Sequence, residues 1–317
     1  VLSGATMGTE WKVVLDADLT GAEVARLQAD LQAAVEEVDA QMSTWTPDSD
    51  LMRFNAAPVG PWVDLPASLL TVLEAGLSIS QQTGGAFEMN LGDAVRAWGF
   101  GAGGIDLGAI RAASAAARVR AVDALEVDRV RGAARKTAAL ALDLSGIAKG
   151  FDVDRLAEVL IGRGYGHALC AIDGEVRALG ARRDGRGWSV GIDAPDGVER
   201  GGHSRIALVD AAVATSGDYR HFVMVRDRRL SHTMNPRTRA PVVDAPSSVT
   251  VMGPSCMLAD AMATAMMVMG RKAGLAHARA AGMPVLFLTP EDSAGTGIFD
   301  EGPGVEGLGA EGLGAEG

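Results

Sequence analysis

The sequence predicts an α+β fold in which mostly antiparallel sheets carry flanking helices, within one large domain spanning residues 1–300. Two observations predict it. Short segments with the alternating hydrophobicity of strands crowd the stretch from 168 to 252, with only turns between them. Helical patterns, by contrast, are scattered along the chain, whereas in a doubly wound parallel sheet they would follow each strand.

Composition is that of a folded protein and argues against a nucleic-acid partner. Hydrophobic residues make up 48% and charged residues 22% of the 317 positions, which are ordinary proportions for a globular protein. The net charge of −11 disfavours binding to phosphate backbones, which requires clustered lysines and arginines. No apolar run reaches the length of a membrane span. The two cysteines, Cys170 and Cys256, lack metal-site spacing and are predicted to be buried.

Helices are predicted where apolar residues recur every three or four positions between recognisable start and stop signals. Thr20 and Glu23 form a capping box that begins the first of them. The predicted helices are 20–41, 66–84, 111–117, 149–163, 255–270 and 272–281. Residues 43–55 are predicted to form a loop, and glycines dominate residues 84–108.

Strands are predicted from alternating or continuous apolar runs bounded by turn residues. They are 10–16, 124–128, 168–173, 176–180, 187–193, 204–209, 212–216, 220–226, 229–233, 247–252 and 285–288. Leu140, Leu142 and Leu144 also alternate, which is typical of a strand. From Glu301 the chain repeats a glycine-rich acidic pattern, and residues 301–317 are therefore predicted to be a disordered tail.

The predicted helix from Ser255 to Gly270 is apolar or small except at Asp260, and Thr264 follows one turn later on the same face. A carboxylate in so apolar a helix needs a partner, because burial of a lone charge is costly. A hard cation such as Mg²⁺ or Ca²⁺ would supply one, since it prefers carboxylate, hydroxyl and carbonyl oxygens. The alternative is a carboxylate that accepts backbone N–H groups near a helix start.

The segment SGIAKG at 145–150 offers small residues for close backbone approach, Lys149, and a helix start where N–H groups favour anions. Its spacing differs from that of the phosphate loop of nucleotide triphosphatases. A plain strand-to-helix turn with a solvated lysine is the alternative interpretation.

Three further side chains are candidates for chemistry or binding. Trp45, in a polar loop, either stacks on a flat ring or caps the core beneath the loop. His232 stands before the turn at Asn235-Pro236, and its imidazole either accepts a proton from a hydroxyl or is a hydrogen-bonded structural group. Asp218 is a candidate for supporting the same site.

Seven segments in order resemble one known family. They are TMGTEW at 6–11, MSTWTPDSDLMRFN at 42–55, TGGAFEMN at 83–90 with WGFG at 98–101, LDLSGIAKGFDVDRLAEVL at 142–160, AIDGEVRALG at 171–180, ATSGDYRHFV with RLSHTMNPRTRAPV at 214–242, and SCMLADAMATAMMVMG at 255–270. Together they resemble the ApbE-type FAD:protein FMN transferases. Members of that family use Mg²⁺ to cleave FAD and transfer its FMN half, through a phosphoester, to a Thr or Ser hydroxyl of a target protein. Some relatives hydrolyse FAD to FMN and AMP instead.

The resemblance implies a role for individual residues. It implies metal ligation by the side chains of Asp260 and Thr264 and by a backbone carbonyl near Gly146. It also implies contacts with FAD, and these fall on Met7, Trp45, Ala86, Phe87, Glu88, Asp143, Lys149 and Thr233, with His232 beside the diphosphate. The chain departs from the usual family pattern at Glu88, Asn90, Asp173 and Asn235.

The resemblance and the residues together predict an Mg²⁺-dependent FMN transferase that modifies another protein, because the chain lacks an acceptor segment of the family's Asp-Gly-x-Thr/Ser-Gly-Ala-Thr type. Two alternatives stay open: an Mg²⁺-dependent FAD pyrophosphatase, and a flavin-binding protein without turnover. The family usually works outside the cytoplasm, which implies an extracytoplasmic location, although the N-terminal residues contain no charged-then-apolar signal segment.

Overall fold

The computed structural model describes residues 1–101, 103–116, 119–193, 203–217, 222–225, 228–243, 245–289 and 292–299, with the backbone alone for 222–225 and 228–230. The predicted tail at 301–317 and the candidate Asp218 lie outside these ranges.

The helices occupy most of the segments with a helical repeat of apolar residues. They are α1 (Gly21–Met42), α2 (Asp50–Ala56), α3 (Ala67–Gln82), α4 (Gly92–Ala97), α5 (Leu107–Ala115), α6 (Ala121–Ala124), α7 (Ala148–Gly162) and α8 (Cys256–Ala281). The predicted capping box of α1 is confirmed, because the Glu23 N–H donates to Thr20 Oγ1 and the Thr20 N–H donates to Glu23 Oε2.

The strands are numerous and short, and most are joined by turns. They are β1 (Leu2–Thr6), β2 (Thr9–Leu15), β3 (Trp62–Asp64), β4 (Leu125–Asp128), β5 (Ala133–Lys136), β6 (Ala168–Ile172), β7 (Glu175–Leu179), β8 (Trp188–Ile192), β9 (Ser204–Leu208), β10 (Ala212–Gly217), β11 (Phe222–Val225), β12 (Arg228–Ser231), β13 (Met234–Asn235), β14 (Ala240–Pro241), β15 (Ser248–Gly253), β16 (Val285–Leu288) and β17 (Ser293–Gly295). A 3₁₀ turn follows at Gly297–Phe299.

One large sheet organises the described residues. Its strand order is β1-β2-β6-β7-β10-β15-β16-β17, and every neighbouring pair in it is antiparallel. A smaller antiparallel sheet has the order β3-β5-β4, and three two-stranded hairpins complete the sheets. The predicted α+β fold with mostly antiparallel sheets is therefore confirmed.

Helices α7 and α8 pack against each other, and α8 lies on the sheet over β10 and β15. The core beneath them is built from buried alanines and methionines of α8 together with leucines of α3 and the sheet residues Val249 and Val251. Both cysteines are buried, as predicted, and neither forms a disulfide. None of the helices among the described ranges is long and apolar enough to cross a membrane.

The predicted loop at 43–55 and the glycine-rich segment 84–108 contain helices that the sequence did not indicate. In the first, Ser49 caps α2 by accepting the N–H of Met52 at 3.1 Å. In the second, α4 spans Gly92–Ala97. The helix predicted near 111–117 begins earlier, at Leu107, because the Asp106 carboxylate caps it.

The alternation of Leu140, Leu142 and Leu144 is not a strand. All three leucines are buried, yet two asparagine side chains take the place of a neighbouring strand. Asn90 Oδ1 accepts the N–H of residue 141 at 2.8 Å, and Asn55 Oδ1 accepts the Leu142 N–H at 2.8 Å. Side chains of this type can satisfy backbone groups as a ladder does, so alternate burial occurs without sheet pairing.

Candidate active site

Helix α8 positions the predicted metal ligands. Ser255 caps its start by accepting the Leu258 N–H, and the backbone leaves helical geometry at Gly270, where φ is 72°. The predicted helix end at Gly270 is thus a kink that separates two helical segments. Asp260 is 3% exposed, and Thr264 is partly buried one turn later. Both side chains lie on the same face of the first segment.

Helix α7 approaches α8 closely, and two glycines make this approach possible. A Cβ at Gly150 would lie 2.4 Å from the Cys256 carbonyl oxygen and 2.7 Å from the Cβ of Asp260. A Cβ at Gly146 would lie 2.9 Å from Thr264 Oγ1. The backbone of the 146–150 segment therefore lies against the side chains of Asp260 and Thr264, so the three predicted metal ligands are brought together.

The Asp260 carboxylate receives a backbone hydrogen bond from the start of α7. The Gly150 N–H donates to Oδ2 at 3.0 Å, and no other described residue hydrogen-bonds this carboxylate. Burial raises the pKa of Asp260, while the charge of Lys149 and the Gly150 hydrogen bond act in the opposite direction. The N–H bond predicted by the alternative interpretation is present, and Oδ1 still carries an acceptor site for a further group.

Lys149 lies among three carboxyl groups. Its Nζ is 2.9 Å from Glu175 Oε2 and 3.5 Å from Asp173 Oδ2, and the charge of Asp260 also acts on it. Burial lowers the pKa of Lys149, but the three carboxyl groups, Glu175 first, raise it by more. Burial has the opposite effect on the acid Glu175, whose pKa it raises. The alternative interpretation, in which the lysine is solvated, is wrong, because Lys149 is ion-paired within the fold.

Strand β10 adds a hydroxyl to this cluster. Ser216 Oγ lies 3.4 Å from Thr264 Oγ1, within hydrogen-bond reach. Ser216 belongs to the SGDY segment that the sequence analysis placed near the site, and its neighbour Asp218 lies outside the described residues. The Asp260 carboxylate, the hydroxyls of Thr264 and Ser216 and the backbone of the 146–150 segment thus converge where α7, α8 and β10 meet.

An apolar wall flanks the oxygen atoms. Phe87 is 3% exposed, and its Cε2 would lie 3.4 Å from a Cβ at Gly146. Ala86 and Met7 are partly buried and pack on the core cluster that contains Phe87 and Ala263. Phe87 therefore lies beside the candidate metal ligands, and the other two residues that the resemblance assigns to FAD pack on the same hydrophobic core cluster.

Glu88 and Asp143 hold turns near this surface. Glu88 Oε1 accepts the N–H groups of Asn90 at 2.8 Å and Ala121 at 3.0 Å, and burial raises its pKa more than these bonds lower it. Asp143 Oδ1 accepts the Ser145 N–H at 2.9 Å, which shapes the turn that leads to Gly146. Both carboxyl groups organise the loops that carry the neighbouring site residues.

Trp45 lies in the loop after α1 and is 63% exposed. An indole this exposed does not cap the core, which was one of the two interpretations. The remaining interpretation, that Trp45 stacks on a flat ring, stays a prediction.

His232 and Thr233 follow β12 directly. His232 is half-buried, and Thr233 is held by hydrogen bonds from its own N–H to Ser231 Oγ at 3.1 Å and from the Val242 N–H to its carbonyl at 2.9 Å. The backbone that follows His232 is therefore held by hydrogen bonds to the Ser231 side chain and from Val242. The base role of His232 and the FAD contact of Thr233 stay predictions.

The residues at the junction of α7 and α8 fit a hard divalent cation. Their donors are a buried carboxylate, a hydroxyl and a backbone carbonyl, which are the oxygen types that Mg²⁺ binds. Lys149 faces the carboxyl groups of Asp173 and Glu175, and its charge also acts on Asp260. No cluster of three His, Cys, Asp or Glu side chains with metal-site geometry occurs in the described ranges. A cation here would therefore rely on one carboxylate, substrate oxygens and water.

Two residues of the site were not singled out by the sequence analysis. Glu175 begins strand β7 and is buried, and a buried acid requires a partner group. Gly150 closes the SGIAKG segment, and its N–H holds Asp260. Only the fold places Glu175 opposite Lys149.

Comparison with known proteins gives a consistent result. The ApbE family model matches residues 7–287. A relative from Vibrio cholerae serotype O1, named FAD:protein FMN transferase, is 36% identical over 293 residues, which cover 92% of this chain and 87% of the relative. A relative of the same name from Haemophilus influenzae is 32% identical and covers 92% of this chain and 87% of its own length.

Solved structures show the same similarity in three dimensions. The structure of flavin transferase ApbE from Vibrio cholerae is 33% identical, covers 94% of this chain and 97% of its own, and superposes with a TM-score of 0.79. The structure of the Pseudomonas stutzeri flavinyl transferase ApbE in its apo form is 33% identical, covers 95% of both chains, and superposes with a TM-score of 0.81.

Proposed function

The chain belongs to the ApbE family, and we propose that it transfers the FMN part of FAD to a Thr or Ser hydroxyl of a target protein, with Mg²⁺ as cofactor and AMP as the second product. The relatives named FAD:protein FMN transferase support the reaction, since each is aligned over nearly the whole chain. We further propose that this occurs on the extracytoplasmic side of the cell, as in the family.

The observation that carries the proposal is the convergence of Asp260, Thr264 and the Gly146 backbone, where helix α7 begins and Lys149 is held. A diphosphate needs a cation and N–H donors, and it also needs exclusion of competing water. Mg²⁺ bound by these three residues would neutralise the charge that develops on the diphosphate.

Other residues of the chain would bind and orient FAD. Lys149 places a positive charge beside Asp260, and the start of α7 directs N–H groups toward the same point. Phe87, Ala86 and Met7 present an apolar surface suited to a flavin ring. Trp45, exposed in the loop after α1, offers an aromatic face for stacking.

His232 accepts the proton of the attacking hydroxyl. The acceptor oxygen forms a bond to the phosphorus of the FMN half, the diphosphate P–O bond breaks, and AMP leaves with the bridging oxygen. The proton passes to an imidazole nitrogen, so charge and atoms balance.

The test is incubation of the purified chain with FAD, Mg²⁺ and a candidate acceptor protein, followed by mass spectrometry of the acceptor and by AMP measurement. FMN addition accompanied by AMP supports transfer. AMP release without acceptor supports the pyrophosphatase, and tight FAD binding without AMP supports a binding protein; either outcome contradicts transfer. Asp18→Asn, a change at a side chain that is 97% exposed, is the matched control for substitutions of Asp260.

A further inference from the structure

The turn that carries Met7 is held in an unusual backbone conformation. Thr6 pairs with Thr9 across the β1–β2 hairpin, which leaves Met7 and Gly8 as the two residues of the turn. Their φ angles are 44° and 73°, the pair of left-handed values typical of a type I′ hairpin. Glycine or asparagine adopts this conformation readily, whereas methionine is strained in it. Surrounding contacts must therefore hold the turn in place.

The contact directly beneath this turn is a buried side-chain hydrogen bond. Thr6 is 7% exposed, and its Oγ1 donates to Asp152 Oδ2 at 3.2 Å. Asp152 is fully buried, and its Oδ1 is buried as well, without a hydrogen-bond partner among the described residues. Burying a carboxyl oxygen without a hydrogen-bond partner is energetically costly. Such a group calls for a structural role, and the hydrogen bond that it makes to Thr6 supplies one.

Helix α7 connects this contact to the candidate active site. Lys149 and Asp152 are three residues apart, so the first turns of α7 carry both the side chain that meets the carboxyl cluster and the side chain that meets Thr6. Burial raises the pKa of Asp152 to about 8, against the hydrogen bond from Thr6. At neutral pH the group is therefore an uncharged acceptor, which asparagine can imitate.

We propose that Asp152 is a positioning residue for FAD binding, which acts through Thr6 to hold Met7 against the apolar surface of the site. This inference rests on the proposed function, because it treats Met7 as part of the FAD site. It does not depend on the chemical step, since the hydrogen bond between Thr6 and Asp152 is separate from the one that Gly150 donates to the candidate metal ligand Asp260.

The test measures FAD binding by flavin fluorescence and turnover at saturating FAD in four variants of the full chain. Thr6→Val and Asp152→Ala remove the hydrogen bond and should weaken FAD binding about tenfold, while kcat changes less than about threefold. Thr6→Ser and Asp152→Asn keep a donor or an acceptor and should stay within about threefold of the parent. Thr296→Val is the matched control: Thr296 is a buried threonine whose hydroxyl donates to the Met283 carbonyl, at the other end of the sheet.

Two results would overturn the inference. One is unchanged FAD affinity in Thr6→Val, and the other is an equal loss in Thr296→Val. If Asp152→Ala does not fold, Thr6→Val decides, because it replaces one hydroxyl with one methyl group. A parent chain that binds FAD but releases no AMP contradicts the proposed function alone, and the comparison of FAD affinities still judges the role of Asp152.

Discussion

Asp152→Asn should remove a pH-dependent cost from the folded protein. Asp152 is fully buried, and its pKa rises to about 8 because burial, aided by the charge of Asp39, outweighs the Thr6 hydrogen bond and the charge of Arg155. In the unfolded chain the carboxyl group titrates near its ordinary pKa of about 3.9. Between these two values the folded protein holds a proton that the unfolded chain has released. The free energy of unfolding contributed by this group therefore falls as pH rises through the window, by at most about 1.4 kcal/mol per pH unit.

Asparagine does not titrate, so its advantage over aspartate should grow with pH. Between pH 5 and pH 7 the unfolding free energy of Asp152→Asn, measured against that of the parent, should increase by about 2–3 kcal/mol. The assay is guanidinium denaturation at pH 5, 6 and 7, with a chelator present to remove divalent cations. Below about pH 4 the difference should level off, because both states of the parent are then protonated.

Two companion variants test the origin of this effect. Thr6→Val removes a hydrogen bond that lowers the pKa of Asp152. The free energy of unfolding of this variant should therefore keep falling with rising pH to a higher pH than that of the parent. Asp18→Asn alters a carboxyl group at a 97% exposed side chain and should show no comparable trend. A buried carboxyl group that is protonated only in the folded state must make the stability difference between Asp152→Asn and the parent vary with pH. A difference that stays constant with pH would therefore refute the reasoning.

Three further substitutions test the candidate site. Asp260→Ala should abolish Mg²⁺-dependent release of AMP while circular dichroism shows a preserved fold, because the helix around it is apolar; a fully active variant, or a metal-independent parent, would contradict the metal assignment. His232→Ala should lower FMN transfer by about 10²–10⁴-fold and FAD affinity far less, as expected for a general base; equal losses in both would make His232 a binding residue. Gly150→Ala should lower the melting temperature markedly, because its Cβ would lie 2.4 Å from the Cys256 carbonyl oxygen; an unchanged melting temperature would show that α7 can shift away from α8.

The sequence predicted the elements that are long, periodic and capped. Helix α7 and the two segments of α8 match their predicted limits within one or two residues, because apolar spacing and end signals act locally. Helix α2 was missed because its seven residues are too few for a periodic pattern to emerge from a polar loop. The alternating leucines at 140–144 were misassigned because their backbone partners, Asn55 and Asn90, lie far away in the sequence.

The candidate site also contains residues that local sequence predicts and residues whose surroundings depend on the fold. Asp260 and Thr264 were predictable, since one carboxylate in an apolar helix and a hydroxyl one turn later are local facts. The surroundings of Lys149 were not. Its partner Glu175 reaches it only because the β6–β7 hairpin places the start of β7 beneath the first turn of α7, a contact set by sheet order. The sequence identified a lysine near a helix start, and it gave no sign that the lysine is already ion-paired.

This ion pairing bears on how a diphosphate can bind. A solvated lysine would attract FAD by itself, but Lys149 is 2.9 Å from Glu175 and is also balanced by Asp173 and Asp260. Lys149 thus has little charge to spare for a diphosphate, in a chain whose net charge is −11. A divalent cation on Asp260 would offset the negative charge of these carboxyl groups. The same carboxyl groups that would repel FAD alone then favour FAD and cation together, so the affinity of this site for FAD should depend on Mg²⁺ even before any bond is broken.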